Sequence, residues 1–289
     1  MLHDAEIYQS VAIEEARRSL REGNHGFGAV IVRDGQLVAQ AHDLEESCGD
    51  PTAHAEMLAI RTACRMVGKS LHGCRMYSTH EPCPMCSTAV VWSGLGYLGY
   101  GYGIADALAQ GRTRIDLGCR ELFRRANAEI QVEDGILRNE CALLYDQKIR
   151  KEVRRLRGAT DLDLEEQDRV TARKRAAWIK NELKEGEVRH ADLLGTAYAL
   201  FLKKLCIAEE EAPVVARSDR EIVIHSSNLC PTLEACRILG LDTRRVCRLS
   251  NEGATIEMMK TIDPRLSFKR NYEKLRPYAG YCEESITLD

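Results

Sequence analysis

Two short segments constrain this chain more than anything else in it: His54-Ala55-Glu56 and, further on, Pro82-Cys83-Pro84-Met85-Cys86. A Cys-x-x-Cys pair at a helix start points both sulfurs to one side of the first turn, and the helix N-terminus favours the thiolate form. A histidine from a separate helix adds a third, borderline-soft donor, and the set suits Zn²⁺. Three protein donors leave a position for water, as in a catalytic site. A closed structural site would need a fourth donor, such as His80 or Cys74. Zinc brings the pKa of such a water to about 7. Glu56, two positions from His54, is placed to take its proton and return it to a leaving nitrogen. The fold must therefore bring two helix starts together across the intervening chain.

The surrounding pattern supplies such a fold. An amphipathic helix is expected from about Asp4 to Leu20, followed by a hairpin, GFGAVIVRDGQLVAQA, that turns at Asp34-Gly35. A helix should begin near Thr52, capped by Thr52 or Asp50, and run through MLAIRTACRMV. CRMYSTH reads as a strand, CSTAVVW as a helix and GYLGYGY as a further strand. This alternation predicts an α/β layered domain over residues 1–145. From Pro82 to Ala105 no residue is charged, but the prolines and glycines there argue for a helix and a Gly-rich strand rather than a membrane span.

Beyond that point the composition shifts. Residues 146–186 are highly charged and almost free of aromatics, and read as two helices broken near Gly158-Ala159 in a solvent-exposed connector. Residues 187–289 read as a smaller accessory α+β domain with possible small-ligand binding. It opens on the helix HADLLGTAYALFLKKLC and the strand EIVIHSS, continues through helices at CPTLEACRILG and TIEMMKTI, and closes on the strands LSFKRNYEK and YCEESITL. The length of 289 residues, about twice a typical domain of roughly 150, agrees with this division. Twelve cysteines are too sparse for a disulfide scaffold, and MLHDAEIYQS has no apolar signal core, so a cytoplasmic protein with reduced thiols is expected.

TAHAE joined to EPCPMC resembles the zinc-dependent cytidine/deoxycytidylate deaminase superfamily. GFGAVIV, DPTAHAE, EPCPMC and ADALAQG…ID fall in the order of its guanine deaminase and tRNA-adenosine deaminase branch, over residues 1–145. The resemblance implies a cytidine-deaminase-like three-layer α/β/α sandwich with a mixed five-stranded sheet. It implies that His54, Cys83 and Cys86 hold Zn²⁺, that Glu56 is the catalytic proton shuttle, and that the chain forms a homodimer. The residues expected at the substrate ring are Phe27, Asp43, Ala55 and Asp116, while Trp92 reads best as core.

The implied activity is hydrolytic deamination of an amino-substituted heterocyclic base, releasing ammonia. The branch usually carries a His-Asn pair after the second strand, where this chain has His42-Asp43. An ionised Asp only accepts hydrogen bonds, so it favours a ring edge rich in N–H donors. That widens the substrate class from guanine to related purines, pterins, pyrimidines and triazines. A tRNA adenosine substrate is the alternative within the class. KIRKEVRRLR forms a basic stripe, but a net charge of −3 and the lack of a Lys/Arg-rich C-terminal tail argue against a nucleic-acid partner. A ligand-sensing regulatory protein with a vestigial deaminase domain is the alternative outside the class, and the intact Glu56 argues against it. In the accessory region NLCPTLEACRILGLDTRRVC and YCEESI loosely resemble 2-amino-thiazoline-carboxylate hydrolase-like modules. His225, Cys230, Cys236, Cys247 and Cys282 are its candidates for a ligand, thiol or second metal site, with core packing as the plain alternative.

Overall fold

Asp34 and Gly35 adopt positive φ angles of 51° and 75°, closing the expected hairpin between β1 (Gly28–Arg33) and β2 (Gln36–His42). The computed structural model describes residues 4–185 and 192–289. Its contacts divide the chain into two units, Met1–Arg154 and Arg155–Asp289.

In the first unit the hairpin forms one edge of a five-stranded sheet of order β2-β1-β3-β4-β5. The remaining strands are β3 (Cys74–His80), β4 (Tyr97–Tyr102) and β5 (Gln131–Glu133). β1 runs antiparallel to both neighbours, whereas β3, β4 and β5 are parallel, so the sheet is mixed as expected. Helices α1 (Asp4–Glu22), α2 (Glu45–Cys48), α3 (Ala55–Val67), α4 (Pro84–Ser93), α5 (Ile104–Ala109), α6 (Cys119–Arg125), α7 (Arg138–Tyr145) and α8 (Gln147–Leu156) complete it. Strand alternation sorts the core into two layers. Ile31, Met76 and Leu98 pack with Ala59 and Ala63 of α3, while Val30, Val32, Tyr77 and Tyr97 pack with Ala12 of α1. A Cβ on Gly28 would strike the Ala12 carbonyl oxygen, so α1 lies directly on β1 only because that position is glycine.

The second unit is an antiparallel sheet of order β6-β7-β9-β8, with β6 (Val214–Arg217), β7 (Glu221–Ser226), β8 (Leu266–Arg270) and β9 (Cys282–Leu288). Its helices are α9 (Asp161–Glu185), α10 (Leu193–Leu205), α11 (Pro231–Leu239), α12 (Thr243–Cys247) and α13 (Gly253–Ile262). Phe201, Ile222, Ile224, Phe268 and Ile286 form its core. The edge strand β6 was not expected from sequence.

The stretch 146–186 departs from the connector reading. Ile149 and Val153, four residues apart on α8, are fully or almost fully buried, and Ile179 of α9 shares a core with Met258 and Met259 of α13. Sparse apolar residues at helical spacing suffice to dock a helix, because long charged side chains keep their heads in water around them. The break falls at Gly158, whose φ is 75°. The boundary at 186–187 and the first residues of the HADLL helix lie outside the described residues. Among the described residues no helix is long and apolar enough to cross a membrane, and the uncharged stretch forms α4 and β4.

Candidate active site

His54 and Cys83 each occupy the N-cap of a helix, α3 and α4 respectively, and Pro84 fills the first position of α4, where its missing N–H is not needed. α3 thus starts at Ala55, not at Thr52. Asp50 and Thr52 instead close a turn, with Asp50 Oδ1 accepting from Thr52 N and Oγ1 at 2.8 Å each. Cys83 follows β3 by three residues, which sets the site at the carboxyl ends of parallel strands, the usual crevice of an open α/β sheet.

His54 Nδ1 lies 3.6 Å from Cys83 Sγ and 3.5 Å from Cys86 Sγ. Ligands sharing a tetrahedral zinc at about 2.3 Å for sulfur and 2.0–2.1 Å for nitrogen would be about 3.6 Å apart, so the three side chains fit that ion. His54 Nε2, on the far side of the ring, lies 3.9 Å from Glu45 Oε2. Hydrogen bonding to Cys86 and His54 holds the Cys83 thiol down to about 4. Glu56 is buried, its Oε1 accepting from Ser78 Oγ at 3.1 Å and its Oε2 lying 3.5 Å from Cys86 Sγ. Burial, with the Cys83 charge beside it, raises its pKa above the usual carboxylate range.

These groups open on a cavity of about 470 Å³. Phe27 and His80 line it, and the buried Tyr145 ring packs behind both, the three rings meeting pairwise at 5.2–5.6 Å, while Tyr145 donates to Thr79 Oγ1 at 2.8 Å. His80 Nδ1 lies 2.9 Å from the Glu81 carbonyl oxygen, an acceptor, so Nδ1 carries the proton and Nε2 is left as a buried acceptor without a partner. Burial pushes the His80 imidazole down to about 4, which keeps it neutral. Glu81 also lines the cavity, held by the backbone N–H groups of Ile104 and Cys119 at 2.9 and 2.8 Å.

At the mouth stand Arg112, Arg114 and Arg150. Arg112 lies over the Tyr145 ring and Arg114 over Phe27, each 5.7 Å from the centroid. Arg112 Nε is buried without a partner, and Arg150 is depressed to about 10 by burial and by Arg112. None of the three pairs with a carboxylate among the described residues. A second cavity shares Arg112 and Arg150 and is otherwise lined by Gln147, Lys148, Lys151 and Arg154.

Of the residues expected at the ring, Phe27 lines the cavity. Asp43 is fully buried, accepts from His25 N at 3.2 Å, and stands behind His25 and Glu45, which do line it. Ala55 is buried in the core, and Asp116 is exposed on the loop after α5, away from the lining. Trp92 is 80% exposed on α4, not core. Sequence reasoning passed over Ser78, Glu81 and Tyr145 and weighed His80 only as a metal donor. Nothing in the sequence around Arg112 and Arg114 marks them for a role.

In the second unit His225 stacks on Tyr281 at 3.7 Å and its Nε2 lies 3.1 Å from Glu283. Cys236 is buried in α11, while Cys230, Cys247 and Cys282 line a cavity. Both groups of converging metal donors among the described residues, His54/Cys83/Cys86 and His25/Asp43/Glu45, belong to the first unit. All twelve cysteines are free thiols.

Three soft donors beside a buried carboxylate, at the open end of a mixed α/β sheet, define a metallohydrolase centre. Residues 2–101 match the family described as the cytidine and deoxycytidylate deaminase zinc-binding region. The chain is 39% identical over 137 residues to the tRNA-specific adenosine deaminase of Bacillus subtilis, covering 47% of this chain and 83% of that one. It is 49% identical over 89 residues to the tRNA-specific adenosine deaminase of Aquifex aeolicus, covering 30% of this chain and 59% of the relative. It is 42% identical over 90 residues to the guanine deaminase of Bacillus subtilis, covering 30% of this chain and 58% of that enzyme. The chain belongs to the zinc-dependent cytidine and deoxycytidylate deaminase family.

Proposed function

We propose that the chain hydrolytically deaminates an amino-bearing nucleobase carried on a phosphate-bearing substrate, with His54, Cys83 and Cys86 holding zinc. The carrying observation is the meeting of those three donors with Glu56 at the floor of one aromatic-walled cavity. Zinc bound there supplies Lewis acidity that makes a water nucleophilic near neutral pH.

The remaining chemistry belongs to the chain's own groups. Water adds to the ring carbon bearing the amino group, and Glu56 accepts the proton that the water sheds. The raised affinity of Glu56 for a proton lets it hold that proton and then deliver it to the departing nitrogen, which leaves as ammonia. Ser78 keeps Oε1 in place throughout. Phe27 offers a face for the ring, and His80 Nε2 accepts from an N–H on its edge.

The phosphate rests on the mouth. Arg112 is pushed down by burial and by Arg114, and Arg150 by burial and by both. None of the three is paired with a carboxylate among the described residues, and the adjoining cavity adds three more cations. Overall acidity argued against RNA, but local charge at the pocket governs what enters it. The tRNA-specific relatives support the same direction. The test is ammonia release by the zinc-loaded full chain from free bases, nucleosides, nucleoside monophosphates and tRNA, with Glu56→Ala as blank. Phosphate-bearing substrates should turn over with the higher kcat/KM, and addition of salt should reduce it. Equal turnover of free bases overturns the phosphate reading, and no ammonia from any substrate overturns the deaminase reading.

A further inference from the structure

The second unit holds a cavity that the deaminase chemistry does not use. Its volume is about 180 Å³, room for about six water molecules at the ~30 Å³ each occupies in the liquid. Phe201, Leu205, Ile207 and Leu275 give it an apolar wall.

The polar lining is unbalanced. Arg270, with only 8% of its side chain exposed, donates from Nε and Nη2 to Glu284 Oε1 at 3.0 and 2.6 Å. Ser226 Oγ donates to Glu284 Oε2 at 2.8 Å, so both carboxylate oxygens are engaged within the protein. Arg270 Nη1 is left buried and unpartnered, a state that proteins seldom leave unfilled. Arg276 also lines the cavity; its Nη1 donates to the carbonyl oxygens of Ser227 and Asn228 at 3.0 and 2.8 Å. No carboxylate pairs with Arg276 among the described residues. Two guanidinium groups face one carboxylate, which leaves one positive charge uncompensated. The N-terminus of α11, capped by Cys230, adds its partial positive charge at the same wall.

We infer that this cavity binds a small organic monocarboxylate, its carboxylate meeting Arg270 Nη1 and Arg276 and its apolar body lying against Phe201, Leu205 and Leu275. One surplus charge fits one anionic group, and the volume fits a metabolite-sized acid, well below the roughly 300–1,000 Å³ of sites for larger ligands. The thiols of Cys230, Cys247 and Cys282 make no converging group of metal donors among the described residues, and they serve as soft wall. The inference stands independently of the deaminase reading.

Isothermal titration calorimetry on the zinc-loaded full chain tests it, using butyrate, 4-methylpentanoate and benzoate, each against its neutral amide, with inorganic phosphate as a separate arm. At least one acid should saturate a single site, at least about tenfold tighter than its amide, the discrimination expected of a charge-assisted pair. Arg276→Gln should weaken it by about tenfold, whereas Arg112→Gln, at the deaminase mouth, should leave it unchanged. Because Arg270→Gln alone strands Glu284, the double substitution Arg270→Gln/Glu284→Gln supplies the second check and should also lose the acid. Saturation by no acid up to about 20 mM, an amide that binds as tightly, binding unaffected by Arg276→Gln, or saturation by phosphate alone each overturns the inference.

Discussion

Two groups of cysteines in this chain have opposite fates, and the contrast shows what turns a thiol into a ligand. Cys83 and Cys86 share the first turn of one helix and meet His54 at 3.5–3.6 Å. The Cys83 thiol is drawn down to about 4 by its hydrogen bonds to Cys86 and His54. Cys230, Cys247 and Cys282 reach their cavity from a helix cap, a different helix and a strand, and do not make one of the converging donor groups found among the described residues. Burial raises Cys230 and pushes Cys247 up to about 12. Desolvation disfavours the charged form in both places; at Cys83 neighbouring donors overcome it, while Cys86, hydrogen-bonded to Cys83, is itself raised.

Substitution at equivalent chemistry breaks or sharpens the contrast most directly. Cys83→Ser should drop bound zinc from about one per chain to background and abolish ammonia release, while Cys247→Ser should keep both, as read by metal analysis. Equal zinc in the two variants would dissolve the distinction. Glu56→Ala should retain zinc yet lower kcat by about 10²–10⁴-fold, separating metal binding from proton transfer within the first group.

The units also differ in how they bury charge. Arg270→Gln should destabilise the second unit by about 3–5 kcal/mol in calorimetry, because Glu284 is left buried without its cation, and Arg270→Gln/Glu284→Gln should recover most of the loss. A double variant as unstable as the single would show that the pair is not what holds this region. At the deaminase mouth, where the arginines lack carboxylate partners among the described residues, Arg112→Gln should instead spare stability. It should lower kcat/KM for a phosphate-bearing substrate by about 10–100-fold and flatten its salt dependence.

The smallest effect concerns pH. In the first unit His42 is buried between Glu15 and Glu22 at 2.7 and 2.9 Å, chiefly the Glu15 hydrogen bond raising its pKa above 6.5. A raised folded pKa means that the His42 contribution is complete below the unfolded value and is lost as pH rises through the folded one. Melting followed from about pH 6 to 9 should show a gradual loss of stability that His42→Gln lacks.

The legible parts of this chain were those written in local pattern. The Asp34-Gly35 turn, the Cys74–His80 strand and the Cys-x-x-Cys helix start were readable because backbone geometry and spacing carry them. The parts missed depend on convergence across the fold. KIRKEVRRLR was visible as a basic stripe, but nothing in sequence set Arg150 beside Arg112, 38 positions away in the chain. Asp116 was expected at the ring on its place in a motif, and Glu81 reaches the cavity instead because two backbone N–H groups from separate segments hold it there. The edge strand β6 is four residues long and mostly exposed, so no burial pattern marked it.

The mouth arginines Arg112 and Arg114 both lie on the loop between α5 and α6, whereas the donors and the proton carrier sit on the first turns of α3 and α4. In the proposed function, reaction and the larger part of selectivity thereby fall on separate pieces of chain, with Arg150 on α8 a third. A lineage can redraft the loop to court a different customer while the bond-breaking apparatus passes unaltered from parent to descendant. A laboratory that grafts loops from other members onto this scaffold can follow the same route.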